Sequence, residues 1–189
     1  MTDRPASLYY RALAELPFDR PGGLDRLEAC FRDGTTPSAL EGPLDGRLLT
    51  TTFGFGLDAL AGAMSRVWMP WKGKTFAPEG DEGRNLFTRG FRTLMRVIWP
   101  GYHDTRPEDR GRFSTFPFTT WEGESANSPG LKVFKIDYDH EASPALLIRP
   151  ILDELVTIEE GLYLGQALMR WNGVHHRVAW FQLAQPGRG

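Results

Sequence analysis

Apolar and polar positions alternate most regularly toward the C-terminus, where Ile151–Ile158, Leu162–Trp171 and Val174–Ala184 read as three consecutive strands. Asn172-Gly173 between the last two is a strong two-residue hairpin signal, because both residues tolerate the positive φ of a type I′ turn. Glu159-Glu160-Gly161 marks the preceding turn, so the three segments predict an antiparallel meander. Leu131–Asp139 alternates too, with Phe134, Ile136 and Tyr138 on one face and Lys135, Asp137 and Asp139 on the other. Arg47–Phe53, Trp71–Phe76 and Arg112–Trp121 read as further strands.

Helical spacing occurs in Ser7–Leu16 and Leu24–Phe31, separated by the breaker run Pro17–Gly23, and again in Leu57–Trp68, which stops before Pro70. Asn85–Trp99 has Phe87, Phe91, Leu94, Met95 and Ile98 on one helical stripe and Arg89, Arg92 and Arg96 on another. It predicts an amphipathic helix, with an irregular strand pair as the second reading. Six or seven strands with a closing meander favour a small barrel, since closure removes exposed sheet edges. The fold expected is mainly β, an antiparallel lipocalin-like barrel with N-terminal helices and an internal capping helix. Residues 1–189 form one domain in this reading, and residues 1–34 are a helical lead-in.

Composition narrows the possible functions. The 189 residues are 41% hydrophobic and 24% charged, and the net charge of −2 offers no bulk attraction to nucleic acid or anionic membranes. No apolar run approaches the roughly 20 residues of a membrane span, and no signal pattern opens the chain, so a cytoplasmic protein is expected. A single cysteine, Cys30, excludes an internal disulfide and reads as a helix core residue. Six Trp, twelve Phe and five Tyr can line a core or a ligand cavity.

Specific catalytic motifs are few. Gly73-Lys74-Thr75 echoes the end of a phosphate-binding loop, but Trp68 stands where its first glycine belongs. Arg89, Arg92 and Arg96, with Lys72 and Lys74, line either an anion-holding entrance or a solvated helix face. Asp137, Asp139, His140, Asp153 and Glu154 form the densest acidic cluster, which would suit a shared proton or a hard cation if neighbouring strands paired them. A solvated turn is the simpler reading, and no metal site is expected. Asp153, between Leu152 and Leu155, would need a partner if buried. Only one of His175 and His176 can face inward, as a general base or a haem ligand.

Trp71-Lys72-Gly73-Lys74-Thr75-Phe76 resembles the Trp-x-Gly-Lys-x-Phe signature of the bacterial GXWXG-type domains of unknown function, and Tyr138, Asp139, Pro150, Ile151, Asp153 and Tyr163-Leu164-Gly165 resemble their second half. The likeness spans roughly Ala29–Leu168. Where Gly-x-Trp-x-Gly would sit, the chain has Ala29-Cys30-Phe31-Arg32-Asp33, which describes a divergent relative. The resemblance implies a lipocalin- or calycin-like barrel without an assigned activity.

The function expected is binding of a small hydrophobic or amphipathic molecule in the lumen. Lining candidates are Phe53, Trp71, Phe116, Phe118, Trp121, Phe134, Tyr138, Tyr163 and Trp180, with Arg92, Arg96, Asp153 and His176 as polar contacts. Gly165 and Ala167 would leave room beside Tyr163 and Met169. No cofactor is required. The alternatives are a cofactor-independent isomerase, cyclase or hydratase using Asp153 or His176 in the same cavity, and a haem barrel.

Overall fold

A computed structural model describes residues 5–52 and 70–187. Phe53 and the helix expected at Leu57–Trp68 lie outside them. Among the described residues, three helices, α1 (Pro5–Glu15), α2 (Arg20–Asp33) and α3 (Phe91–Ile98), accompany nine strands. These are β1 (Gly42–Thr51), β2 (Trp71–Phe76), β3 (Glu82–Thr88), β4 (Thr105–Pro107), β5 (Arg112–Glu124), β6 (Lys132–Asp137), β7 (Ile151–Glu159), β8 (Leu162–Trp171) and β9 (Val174–Ala184).

The strands join in the order β3-β2-β1-β9-β8-β7-β6-β5-β4, and β3 also pairs with β5. That pairing closes eight antiparallel strands into a barrel and leaves β4 on the flank of β5. The expected meander is present. Asn172 and Gly173 have φ of 50° and 77°, as a type I′ turn requires.

Two apolar layers explain why the strand alternation is clear in some places and lost in others. Residues such as Phe134, Ile136, Leu155, Met169 and Phe181 fill the barrel interior. A second core lies outside the wall, where Tyr9 and Ala12 of α1 and Leu27, Cys30 and Phe31 of α2 cover Val156, Leu164 and Trp180. The first six residues of β7 are therefore buried on both faces and read as a continuous apolar run. Asp19 caps α2 by accepting from Gly22 N at 3.1 Å.

The Asn85–Trp99 segment departs from the single helix expected. Its first residues belong to β3, the chain turns at Arg89-Gly90, and only Phe91–Ile98 is helical. Alternating burial of a strand and the stripe of a short helix sum to a pattern that resembles one longer helix. Phe91 and Met95 of α3 pack into the interior core. Among the described residues no helix is long and apolar enough to cross a membrane.

Candidate functional site

The interior core is interrupted by a cavity of about 50 Å³. Leu48, Phe87, Ile148, Ile151, Ala167 and Phe181 form most of its apolar wall. Trp71, Phe116 and Tyr138 add aromatic surface, and Lys74, Asn85 and Asp153 form a single polar pole.

A β-bulge builds that pole. Trp71 and Lys74 are three residues apart and would face opposite sides of a regular strand. The register of β2 on β3 shifts between Trp71, opposite Phe87, and Gly73, opposite Leu86, so one extra residue turns both side chains inward. Only glycine fits the bend. Gly73 has φ of 129°, and a Cβ there would lie 2.0 Å from the Leu44 carbonyl oxygen. Asn85 and Phe87 reach the same face from β3, and Asp153 arrives from β7 by the ordinary period of two after Ile151.

Lys74 is 2% exposed, and its Nζ lies 2.8 Å from Asp153 Oδ2. It also donates to Asn85 Oδ1 at 3.0 Å and to the Tyr138 hydroxyl. Tyr138 Oη donates to Asp153 Oδ2 at 3.0 Å, and Trp71 Nε1 donates to Asn85 Oδ1 at 3.0 Å. Lys74 Nζ and Tyr138 Oη thus converge on Asp153 Oδ2. Four rings surround the ammonium group, with Nζ 5.0 Å from the centroid of Tyr138, 5.4 Å from Phe118 and 5.5 Å from Trp71 and Phe181.

These contacts oppose one another electrostatically. Burial pushes Lys74 below the ordinary lysine range, and the carboxylate of Asp153 offsets part of that shift. Burial, reinforced by Asp153, holds the Tyr138 phenol well above its usual value. A buried ion pair rarely stabilises a fold better than packed apolar side chains of similar volume. This pair stands in the wall of the cavity. Phe116 adds a local irregularity, because it is a non-glycine residue with φ of 52° and bulges out of the β3–β5 ladder. Its N–H donates to the Tyr102 hydroxyl at 3.1 Å, and its carbonyl accepts from Asn85 Nδ2 at 3.4 Å.

Several residues expected in the lumen lie elsewhere. Trp180 faces the helices, packed edge-to-face on Phe31, and Phe181 takes the inward position beside it. Both neighbours are apolar, so their chemistry alone did not distinguish the faces. Trp121 is 44% exposed on the outside of β5. Phe118 and Phe134 do face the barrel interior, packed in the core beside the cavity, and Tyr163, against the same interior core, borders a separate depression with Leu40 and Leu44. Arg92 and Arg96 border a separate surface depression with Tyr102 and His103, where the Arg92 guanidinium stacks 4.9 Å from the Phe113 ring centre. Arg89 is exposed in the turn before α3. The space beside Gly165 is filled by Phe181, whereas Ala167 does border the cavity.

The acidic cluster is dispersed. Asp153 points into the barrel, and Glu154 points out, bonded to Ser125 and Gln166. Asp139 pairs with Arg149 and Arg170 at the surface. His176 is exposed at the β8–β9 hairpin, and none of His103, His140, His175 and His176 lines the cavity. Sequence reasoning singled out Asp153 as needing a partner and missed that Lys74 provides it. It also missed Asn85. The available signal was the Lys-Gly-Lys triplet, where a bulge at the glycine sends the second lysine inward.

No family model matches the sequence, and no curated protein matches it. Among solved structures, the chain is similar to a crystal structure of a protein from Thermomonospora curvata, with 17% sequence identity and a TM-score of 0.52 over 95% of this chain and 98% of that one. At that identity the likeness shows the fold alone.

Proposed function

We propose that the protein binds a compact small molecule in the barrel cavity, with an apolar body against Ile148, Ile151, Ala167 and Phe181 and one polar group at Lys74, Tyr138 and Asp153. The observation that carries this reading is a cavity apolar on most sides with one buried charged pair in its wall. Apolar burial would supply affinity, and the polar pole would set orientation. One water needs about 10–15 Å³ of such space, so the cavity suits a single ring or a short chain. The residues behind the likeness to GXWXG-type domains come together here, since Trp71, Lys74, Tyr138, Ile151 and Asp153 all border this cavity. We infer a divergent relationship to those domains on that ground.

A second reading, cofactor-independent catalysis in the same cavity, is favoured by the contacts of Asp153 Oδ2 with both Lys74 Nζ and Tyr138 Oη. Two proton carriers beside a bound molecule are the minimum for acid–base chemistry.

Calorimetric titration with benzyl alcohol, one ring with one polar head, tests the binding reading. The wild type should give saturable binding at a single site. Ala167→Phe should abolish it while leaving the circular dichroism spectrum intact. Absence of binding by the wild type, or equal affinity in the variant, overturns the internal-ligand reading.

A further inference from the structure

Lys74 is one of only four lysines in the chain, against eighteen arginines. Lys72 and Lys132 are exposed and Lys135 is half-buried, so the deeply buried basic position in the cavity wall is occupied by a lysine, whose amine, unlike a guanidinium, can become a neutral nucleophile. Arginine would have made the same ion pair, with better geometry for a carboxylate. Its guanidinium cannot give up a proton within the protein range, whereas an amine can.

We propose that the cavity takes aldehydes or small ketones and that Lys74 condenses with their carbonyl carbon to form a protonated imine. This rests on the binding reading above and names its substrate class. Asp153 Oδ2, 2.8 Å from Nζ, receives one ammonium proton and leaves the nitrogen lone pair free to attack. As the new C–N bond forms, the C=O π electrons move to oxygen. That oxygen takes the proton from Asp153 by way of the Tyr138 hydroxyl, which lies 3.0 Å from Oδ2. The resulting carbinolamine carries one amine proton beyond those of the final imine. Asp153 takes that proton, it passes to the hydroxyl, and water leaves as the C=N bond forms. The ammonium and carbonyl are replaced by an iminium and one water, and Asp153 returns to its carboxylate. Net charge at the pole is unchanged. The four rings around Nζ stabilise a cation at that position before and after condensation.

The pole also suits the carbonyl class on polarity. Neutral ligands leave the Lys74–Asp153 pair balanced, whereas a carboxylate or an amine would add an unpaired charge beside it. A buried unpaired charge is costly.

The test uses the full chain with benzaldehyde as probe and cyanoborohydride as trap, followed by peptide mapping. Hydride reduces the iminium to a benzylamine, which marks whichever lysine reacted. Lys74 should carry the label about tenfold ahead of Lys72 and Lys132, as a desolvated nucleophilic lysine does, and benzyl alcohol should slow labelling at Lys74 alone. Mapping on the wild type makes the result independent of whether a Lys74 variant folds. Labelling confined to the exposed lysines while benzyl alcohol still binds overturns the imine proposal and leaves the binding reading standing. Loss of both signals removes the binding reading itself. Lys74 labelling that benzyl alcohol does not slow contradicts entry through the cavity.

Discussion

Lys74 Nζ and Asp153 Oδ2 lie 2.8 Å apart inside the barrel, with side chains 2% and 6% exposed. Breaking such a pair on one side leaves the other charge buried without a counterion. Lys74→Met should therefore lower unfolding free energy by about 3–5 kcal/mol. The double variant Lys74→Met with Asp153→Leu should recover most of the loss. Urea denaturation of the two singles and the double measures the coupling, and additive losses would contradict a desolvated pair.

The bulge at Gly73 makes that pair possible. Gly73→Ala places a Cβ against the Leu44 carbonyl in a backbone conformation that L-residues avoid, a strain of about 1–3 kcal/mol before any steric clash. A lowered melting temperature, together with a changed Trp71 fluorescence spectrum, is the expected outcome. A variant as stable as the wild type would show that β2 reaches the same register without the bulge.

The hairpin at Asn172-Gly173 is a separate matter of local geometry. Gly173 has φ of 77°, and nothing lies within 4 Å of an added Cβ, so substitution tests backbone conformation without a steric contribution. Gly173→Val should cost on the order of 1 kcal/mol or more. Thermal unfolding measures this, and the cavity should be unaffected.

Alkaline pH should loosen the helical layer first. Burial pushes the Cys30 thiol from 9.0 up to about 12, and burial likewise raises the Tyr9 phenol. A group whose folded value is raised contributes stability that is complete below its unfolded value and lost as pH climbs through the folded one. For Cys30 that window runs from pH 9.0 to about 12. Denaturant midpoints should fall across it, and disulfide-exchange reagents should react with Cys30 slowly at pH 8 and faster once the helices lift. Cys30→Ala should flatten part of the decline.

What could be read from sequence depended on how many faces of each element are buried. The hairpin turn carried its own conformational signature at Asn172-Gly173. Phe134, Ile136 and Tyr138 alternate with half-exposed or exposed neighbours, so their inward orientation was visible. Trp180 and Phe181 lie where the wall is covered on both sides, and there periodicity carries no information about which is inside. The site was half legible for a related reason. A charged residue between leucines identified Asp153 as a buried acid in need of a partner. Its partner approaches from β2, through a bulge that breaks the strand period and a pairing that only the closed barrel establishes. Asn85 was concealed by reading β3 and α3 as one amphipathic helix.

A ligand cavity inside the barrel, as opposed to a solid core, should show in methyl-detected NMR during titration with benzyl alcohol. Shifts should concentrate on Leu48, Ile148, Ile151 and Ala167 and saturate together, while Leu162 and Leu164 beneath the helices stay fixed. Unmoved cavity methyls, or shifts gathered on the helix-covered face, would contradict it.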